Sequence, residues 1–284
     1  MTLSPSTQTL ELKPNDTYDS SVSVSNSGKI PINFTVKTTP FQVQANDGEY
    51  SADFSSVNRY TELANWIKLD KTEYHIEPGE TAEVKFHIEV PEKTVGGGQY
   101  AAIMMYTEDS ADPDATVRTA SQLAAILYGH VEGDEMKVEG TITEYGFPRL
   151  VAGGPLEISA SAENTGNVDF VIRHSVSAKN FFTGEEYFGP SMVESDGTAN
   201  SIHETVIMPG TTRTDIIIWE NAPTIGLYRV EQTITILDET ITEEKLVLFC
   251  PIWILVLIAV LVILLILWII FSIIKRRRNR PQVL

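Results

Sequence analysis

Thr81-Ala82-Glu83-Val84-Lys85-Phe86-His87-Ile88-Glu89-Val90 decides the fold. Ala82, Val84, Phe86, Ile88 and Val90 alternate with Glu83, Lys85, His87 and Glu89. A period of two puts apolar side chains on one face and charged ones on the other, which is the pattern of a half-buried β-strand. Val22 and Val24 among Ser21, Ser23 and Ser25 repeat it, as do Ile32, Phe34 and Val36. Between residues 20 and 248 the only helical expectation is one short turn within Tyr60 to Trp66. The soluble part therefore reads as all-β.

Working outward from that strand, the punctuation occurs twice. Asn26-Ser27-Gly28 is followed by Pro78-Gly79-Glu80-Thr81, Pro91 and Gly98-Gln99-Tyr100. Asn164-Thr165-Gly166 is followed by Pro209-Gly210-Thr211-Thr212, Pro223 and Gly226-Leu227-Tyr228, each landmark 128 to 138 residues after its counterpart. The Asn-Ser/Thr-Gly triplets are expected as hairpin turns, because both Asn and Gly tolerate positive φ. Pro-Gly makes a tight turn before the next strand, and the later Pro ends that strand by removing a ladder donor. Gly-x-Tyr opens a further strand with a ring to fill the end of a core.

Short strands with turns at this spacing predict two tandem immunoglobulin-like β-sandwiches. The expected domains are residues 1–132 and 133–249, with Gly133-Asp134-Glu135 as a short junction of limited freedom. The copies differ in the polar stretch from Gln44 to Thr61, which lengthens the first, and in a hairpin after Tyr100 (residues 101–107 and 117–131) whose tip is the acidic run from Glu108 to Asp114.

A different pattern follows. Residues 252–274 hold no charge, and Lys275-Arg276-Arg277-Arg278-Asn279-Arg280 comes directly after. At about 1.5 Å per residue, a helix of that length reaches roughly 34 Å, enough to cross a hydrocarbon core of about 30 Å. The expectation is a transmembrane helix over 250–274 and a basic cytoplasmic tail over 275–284, with both sandwiches extracellular, since Lys and Arg beside a span are retained inside. Met1-Thr2-Leu3-Ser4-Pro5 has neither a basic leader nor an apolar core, so an export signal upstream of Met1 is expected.

Charge narrows the partners. The chain carries −17, and its five basic residues after Cys250 leave −22 on the portion before them. This argues against nucleic acid, and against docking on anionic lipid or anionic wall polymer as the main role, because each contact would start from repulsion. The single cysteine, Cys250, forbids an intrachain disulfide, so the sandwiches must hold by burial.

No signature of a nucleophile with its base is present, and the five histidines, His75, His87, His130, His174 and His203, lack metal-ligand spacing. Gly96-Gly97-Gly98 precedes a strand with no Lys-Ser/Thr after it, and is expected as a flexible turn, not a phosphate loop. Asp109, Asp112 and Asp114 form a weak calcium candidate without the Gly and terminal Glu of an EF-hand loop. No cofactor and no catalytic residue is expected. The binding candidates are aromatic: Tyr50, Phe54 and Tyr60 in the insert of the first copy, and Phe182 and Tyr187 in a comparable place of the second. Exposed, such rings stack on sugars or anchor a protein partner; packed, they form a secondary core under the loop. Trp66 and Trp219 are expected in the core.

Asn26-Ser27-Gly28, Pro78-Gly79-Glu80, Pro91 and Gly97-Gly98, then Trp219, Pro223, Gly226 and Tyr228, with one anchor and a basic tail, resemble the WxL-interacting surface proteins of Gram-positive and related bacteria. The resemblance covers nearly the whole chain. It implies a domain associated with peptidoglycan binding, a second sandwich that meets host or partner proteins, and no catalytic residues. The function expected is therefore a non-enzymatic, single-pass bacterial cell-surface protein that binds a cell-wall glycan or another surface protein. Two alternatives stay open: a spacer or assembly factor holding a partner enzyme at the membrane, and a tail-anchored cytoplasmic adaptor.

Overall fold

The computed structural model describes residues 1–46, 49–107, 122–190, 192–193 and 199–278. Its residues gather into two compact units. The first holds 1–141 with 163–170 and 206–213; the second holds 142–162, 171–205 and 214–284.

In the first unit, one sheet has the order Thr2–Ser4, Thr17–Ser25, Thr81–Glu89, Ile67–Leu69. The other runs Thr7–Leu12, Gln122–Val131, Gly97–Thr107, Ile32–Pro40, Glu73–Ile76. Thr81–Glu89 behaves as its alternation requires: Val84, Phe86 and Ile88 are buried beside Val22 and Val24 of the paired strand Thr17–Ser25, in one core with Phe34, Ile103, Met105 and Leu127 of the opposite sheet. The first strand is split at Pro5, so that its halves join different sheets, and Thr7–Leu12 pairs parallel to Gln122–Val131 while the other described pairings of both sheets are antiparallel. A divided first strand lying parallel to the last, with two sheets over a shared core, is the immunoglobulin-like arrangement.

The second unit repeats it. Gly140–Gly146, Leu156–Asn164 and Thr212–Trp219 form one sheet; Leu150–Val151, Glu239–Phe249, Gly226–Ile236, Phe170–Asn180 and Glu186–Phe188 form the other, with Ile202–Ile207 also paired to Phe170–Asn180. Leu150–Val151 lies parallel to Glu239–Phe249. Leu156, Ile158, Ile217 and Trp219 meet Val176, Val230, Val247 and Phe249 between the sheets. The chain is all-β with two immunoglobulin-like sandwiches, followed by a single helix, Ile252–Arg278, of which 252–274 is long and apolar enough to cross a membrane. The short turn expected near Trp66 is the helix Leu63–Trp66, and Trp66 and Trp219 are both in the cores.

Two local readings need correction. The Asn-Ser/Thr-Gly triplets are not hairpin turns: Thr17–Ser25 and Ile32–Pro40, which flank the first, belong to opposite sheets. The Asn side chain is instead a buried bracket. Asn26 Nδ2 donates to the carbonyls of Ile30 and Ile76 (2.8 and 3.2 Å), and its Oδ1 accepts from Gly28 N. Asn164 makes the equivalent bonds to Val168, Ile207 and Gly166. One amide therefore satisfies three backbone groups where a crossover leaves the ladder, and both residues are 1 % exposed.

Nor is Gly96-Gly97-Gly98 a flexible turn. Gly97 and Gly98 begin a strand that is buried from Gly97 to Met105. A Cβ on Gly96 would lie 2.9 Å from the backbone of Gly133, so the glycine is required by close approach of two chain segments.

Candidate functional site

The central strand Gly97–Thr107 is buried on both faces because a second apolar cluster covers its outer side. Tyr100, Ala102 and Met104 meet Phe41 and Met208 there, with Phe54, Tyr60 and Tyr128 packed around them. Phe41 lies 5.8 Å from Phe54 and edge-on to Tyr128 at 6.1 Å; Tyr100 meets Tyr128 edge-on at 5.9 Å. Gln99 holds the loop that brings Tyr60 in, donating to Arg59 O (2.7 Å) and accepting from Glu62 N (3.1 Å). Tyr50 lies nearby, under the guanidinium of Arg213 at 5.0 Å and with its hydroxyl donating to Thr212 O at 3.3 Å. Burial, with Asp169 beside it, pushes the Tyr100 hydroxyl far above the ordinary tyrosine range.

In the second unit, Phe182 is 79 % exposed and meets its neighbour Phe181 edge-on at 5.2 Å. Tyr187 lies edge-on to Tyr228 at 5.8 Å, against the sandwich core. Its hydroxyl, hydrogen-bonded to Glu185, is pushed up to about 12. The structure thus places Phe54 and Tyr60 in one cluster with Tyr50 near it, and in the other unit leaves Phe182 at the surface and Tyr187 against the core. Asp109, Asp112 and Asp114 lie outside the described residues. Among the described residues, no group of three or more His, Cys, Asp or Glu side chains is placed to hold a metal ion.

The second sandwich also encloses a buried polar chain that no sequence motif announces. His174 Nδ1 and Asp215 Oδ2 are 2.8 Å apart, Thr205 Oγ1 donates to Asp215 Oδ1 at 2.7 Å, and Gln232 Nε2 lies 2.9 Å from His174 Nε2 and donates to Ser159 O at 2.8 Å. With Gln232 donating to Nε2, the ring proton sits on Nδ1, facing Asp215. Burial works to raise the Asp215 carboxyl, but the bonds from His174 and Thr205 outweigh it and hold it below the usual range. His174 is fully buried, so a substrate cannot reach this chain, and its chemistry is cohesion: it ties Ser159 and Asp215 of one sheet to His174 and Gln232 of the other.

One strand of the second sandwich is also informative. Among the described residues, Thr212–Trp219 pairs within its sheet with Leu156–Asn164. Asp215, Ile217 and Trp219 turn inward, leaving Ile216 and Ile218 outward at 55 % and 49 % exposure.

No protein-family model and no curated protein sequence matches the chain. Among solved structures it is similar to the class 5 fimbriae chaperone CfaA (11 % identity, 86 % of this chain and 98 % of that one, TM-score 0.40). It is similar also to the CsuC–CsuE chaperone–tip adhesion subunit complex from Acinetobacter baumannii (11 %, 86 % and 96 %, TM-score 0.39). A third is a Porphyromonas gingivalis W83 protein of unknown function (12 %, 87 % and 98 %, TM-score 0.30). Strand order and register define the fold.

Proposed function

We propose that this chain is a non-enzymatic, membrane-anchored bacterial surface protein that binds another surface protein or a cell-wall component through its sandwiches. The observation that carries the reading is covalent: the last strand, Glu239–Phe249, leads through Cys250 and Pro251 directly into the apolar helix beginning at Ile252. The folded part is thereby held at a bilayer, with Lys275 to Arg280 marking the cytoplasmic end.

A protein partner is favoured over glycan by the outer face of Thr212–Trp219, where Ile216 and Ile218 stand exposed and offer apolar contact. The full chain in nanodiscs, exposed to solubilised cell-surface protein and to purified peptidoglycan, tests this. We expect retention of a surface protein that is lost when Ile216→Lys and Ile218→Lys are combined. If neither protein nor peptidoglycan is retained, the binding reading fails.

A further inference from the structure

The outer face of the larger sheet in the second unit is graded along its strands. One level before the end of the pairing, which closes at Phe249, Leu150 pairs with Leu248 and Leu248 with Leu227, and Phe181 N donates to Leu227 O at 2.9 Å. Four apolar residues therefore form a row across the sheet, about 15 Å long at a strand spacing of about 4.8 Å. One level further from the chain's end, on the same face, come Leu246, Arg229 and Lys179; a level beyond that come Glu244, Glu231 and Ser177. Single exposed leucines are ordinary, but a row that changes from apolar to mixed to acidic in register order is a directed surface.

The direction is that of the anchor. Phe170–Asn180 and Glu239–Phe249 each run antiparallel to Gly226–Ile236, so both end on the same side of the sheet. Asn180 and Val247 share the register level of Tyr228. Beyond the apolar row, Phe182 and Ile225 project from the turns at that side, at 79 % and 54 % exposure. Three residues separate Leu248 from Ile252, so the two lie at most about 14 Å apart along extended chain. No relaxation of Cys250 and Pro251 can carry this end of the sheet further than that from the apolar helix.

We infer that this end of the second sandwich enters the membrane interface, with Phe181 and Phe182 at the acyl boundary and Leu150, Leu248 and Leu227 against the surface. The inference rests on the anchored reading proposed above. Aromatic rings with an apolar body suit this depth. The cationic row behind them is already neutralised, since Arg229 pairs with Glu244 at 3.2 Å and Lys179 with Glu186 at 2.6 Å. Insertion therefore depends on apolar area and is indifferent to the lipid's charge.

The test uses the full chain carrying Cys250→Ser, reconstituted in phosphatidylcholine vesicles and labelled with an environment-sensitive fluorophore at one new cysteine. Thr183→Cys reports the tip, Asp238→Cys the opposite end of the sheet, and Ile263→Cys the centre of the anchor. We expect the label at 183 to be quenched by headgroup nitroxide lipid and shielded from iodide, and that at 238 to remain open to iodide. Phe181→Ser combined with Phe182→Ser should return the label at 183 to the accessibility of that at 238. A label at 183 as accessible as that at 238, while the one at 263 is quenched by lipid, overturns the inference alone. Shielding that survives loss of both rings, or that needs anionic lipid, also overturns it. Failure of lipid to quench the label at 263 overturns the anchoring itself.

Discussion

Gln232 donates its side-chain amide to the carbonyl of Ser159 at 2.8 Å, joining the two strands that a disulfide joins in antibody domains. His174, Asp215 and Thr205 extend the same link. A sandwich whose only cysteine lies at the foot of the helix thus closes its two sheets with hydrogen bonds.

Asp215→Ala removes the partner of a fully buried imidazole and frees Thr205, so it should cost about 3 kcal/mol in urea unfolding. The pH dependence has a definite sign. A carboxyl held below its ordinary value contributes stability that is present above the unfolded pKa near 3.8 and is lost as pH falls through the lower folded value. Asp215→Asn should abolish that acid-side loss while retaining part of the hydrogen bonding. An unchanged acid limb in Asp215→Asn would refute the assignment.

His130 titrates the other way. Its hydrogen bond to Asp169 at 2.9 Å raises its pKa above 6.5, Glu11 at 3.1 Å adds to this, and burial opposes both. The stability gained is complete below the unfolded value and disappears as pH rises through the folded one. Unfolding midpoints in urea should therefore decline as pH rises from 6.5 through the raised folded value in the native chain, and His130→Gln should flatten that decline.

Asn26→Ala strands the carbonyls of Ile30 and Ile76 and the amide of Gly28, and Asn164→Ala does the same to Val168, Ile207 and Gly166. Each should cost about 2–4 kcal/mol. Asn26→Asp keeps the shape but aims carboxylate oxygen at two carbonyls, so it should melt no higher than Asn26→Ala. Calorimetry of the three variants checks both statements.

The aromatic residues divide into two kinds. Phe41→Ala opens a cavity under the first unit's second cluster and should cost about 3–5 kcal/mol. Phe182→Ala touches an exposed ring and should leave unfolding within about 0.5 kcal/mol of the native chain. Denaturant midpoints of the two variants decide.

These contrasts show what the sequence made legible. Thr81–Glu89 was plain because it is covered on one side only, so its burial follows its alternation. Gly97–Met105 was not, since coverage of both faces erases the period. Leu150–Val151 is too short for any pattern to show. The repeat exposed Asn26 and Asn164 as landmarks, but composition favoured a turn residue over a buried bracket. The polar chain did leave a trace: His174 falls in phase with Ile172 and Val176, Gln232 with Val230 and Ile234, and Asp215 with Ile217 and Trp219. A polar residue at an inward position of an apolar strand needs a partner, and three of them on facing sheets find one another. Of the aromatic candidates, residue type gave position in the chain but not exposure, which depends on what folds over them.

The parallel pairing of Leu150–Val151 with Glu239–Phe249 has a mechanical meaning. Leu248 N bonds to Arg149 O and Cys250 N to Val151 O, both at 2.9 Å, immediately before the helix. Tension applied between the C-terminal helix and the residues before Arg149 pulls these two strands in opposite senses along their length. Both bonds are then sheared together instead of being peeled one after another, so the tether resists load at its foot.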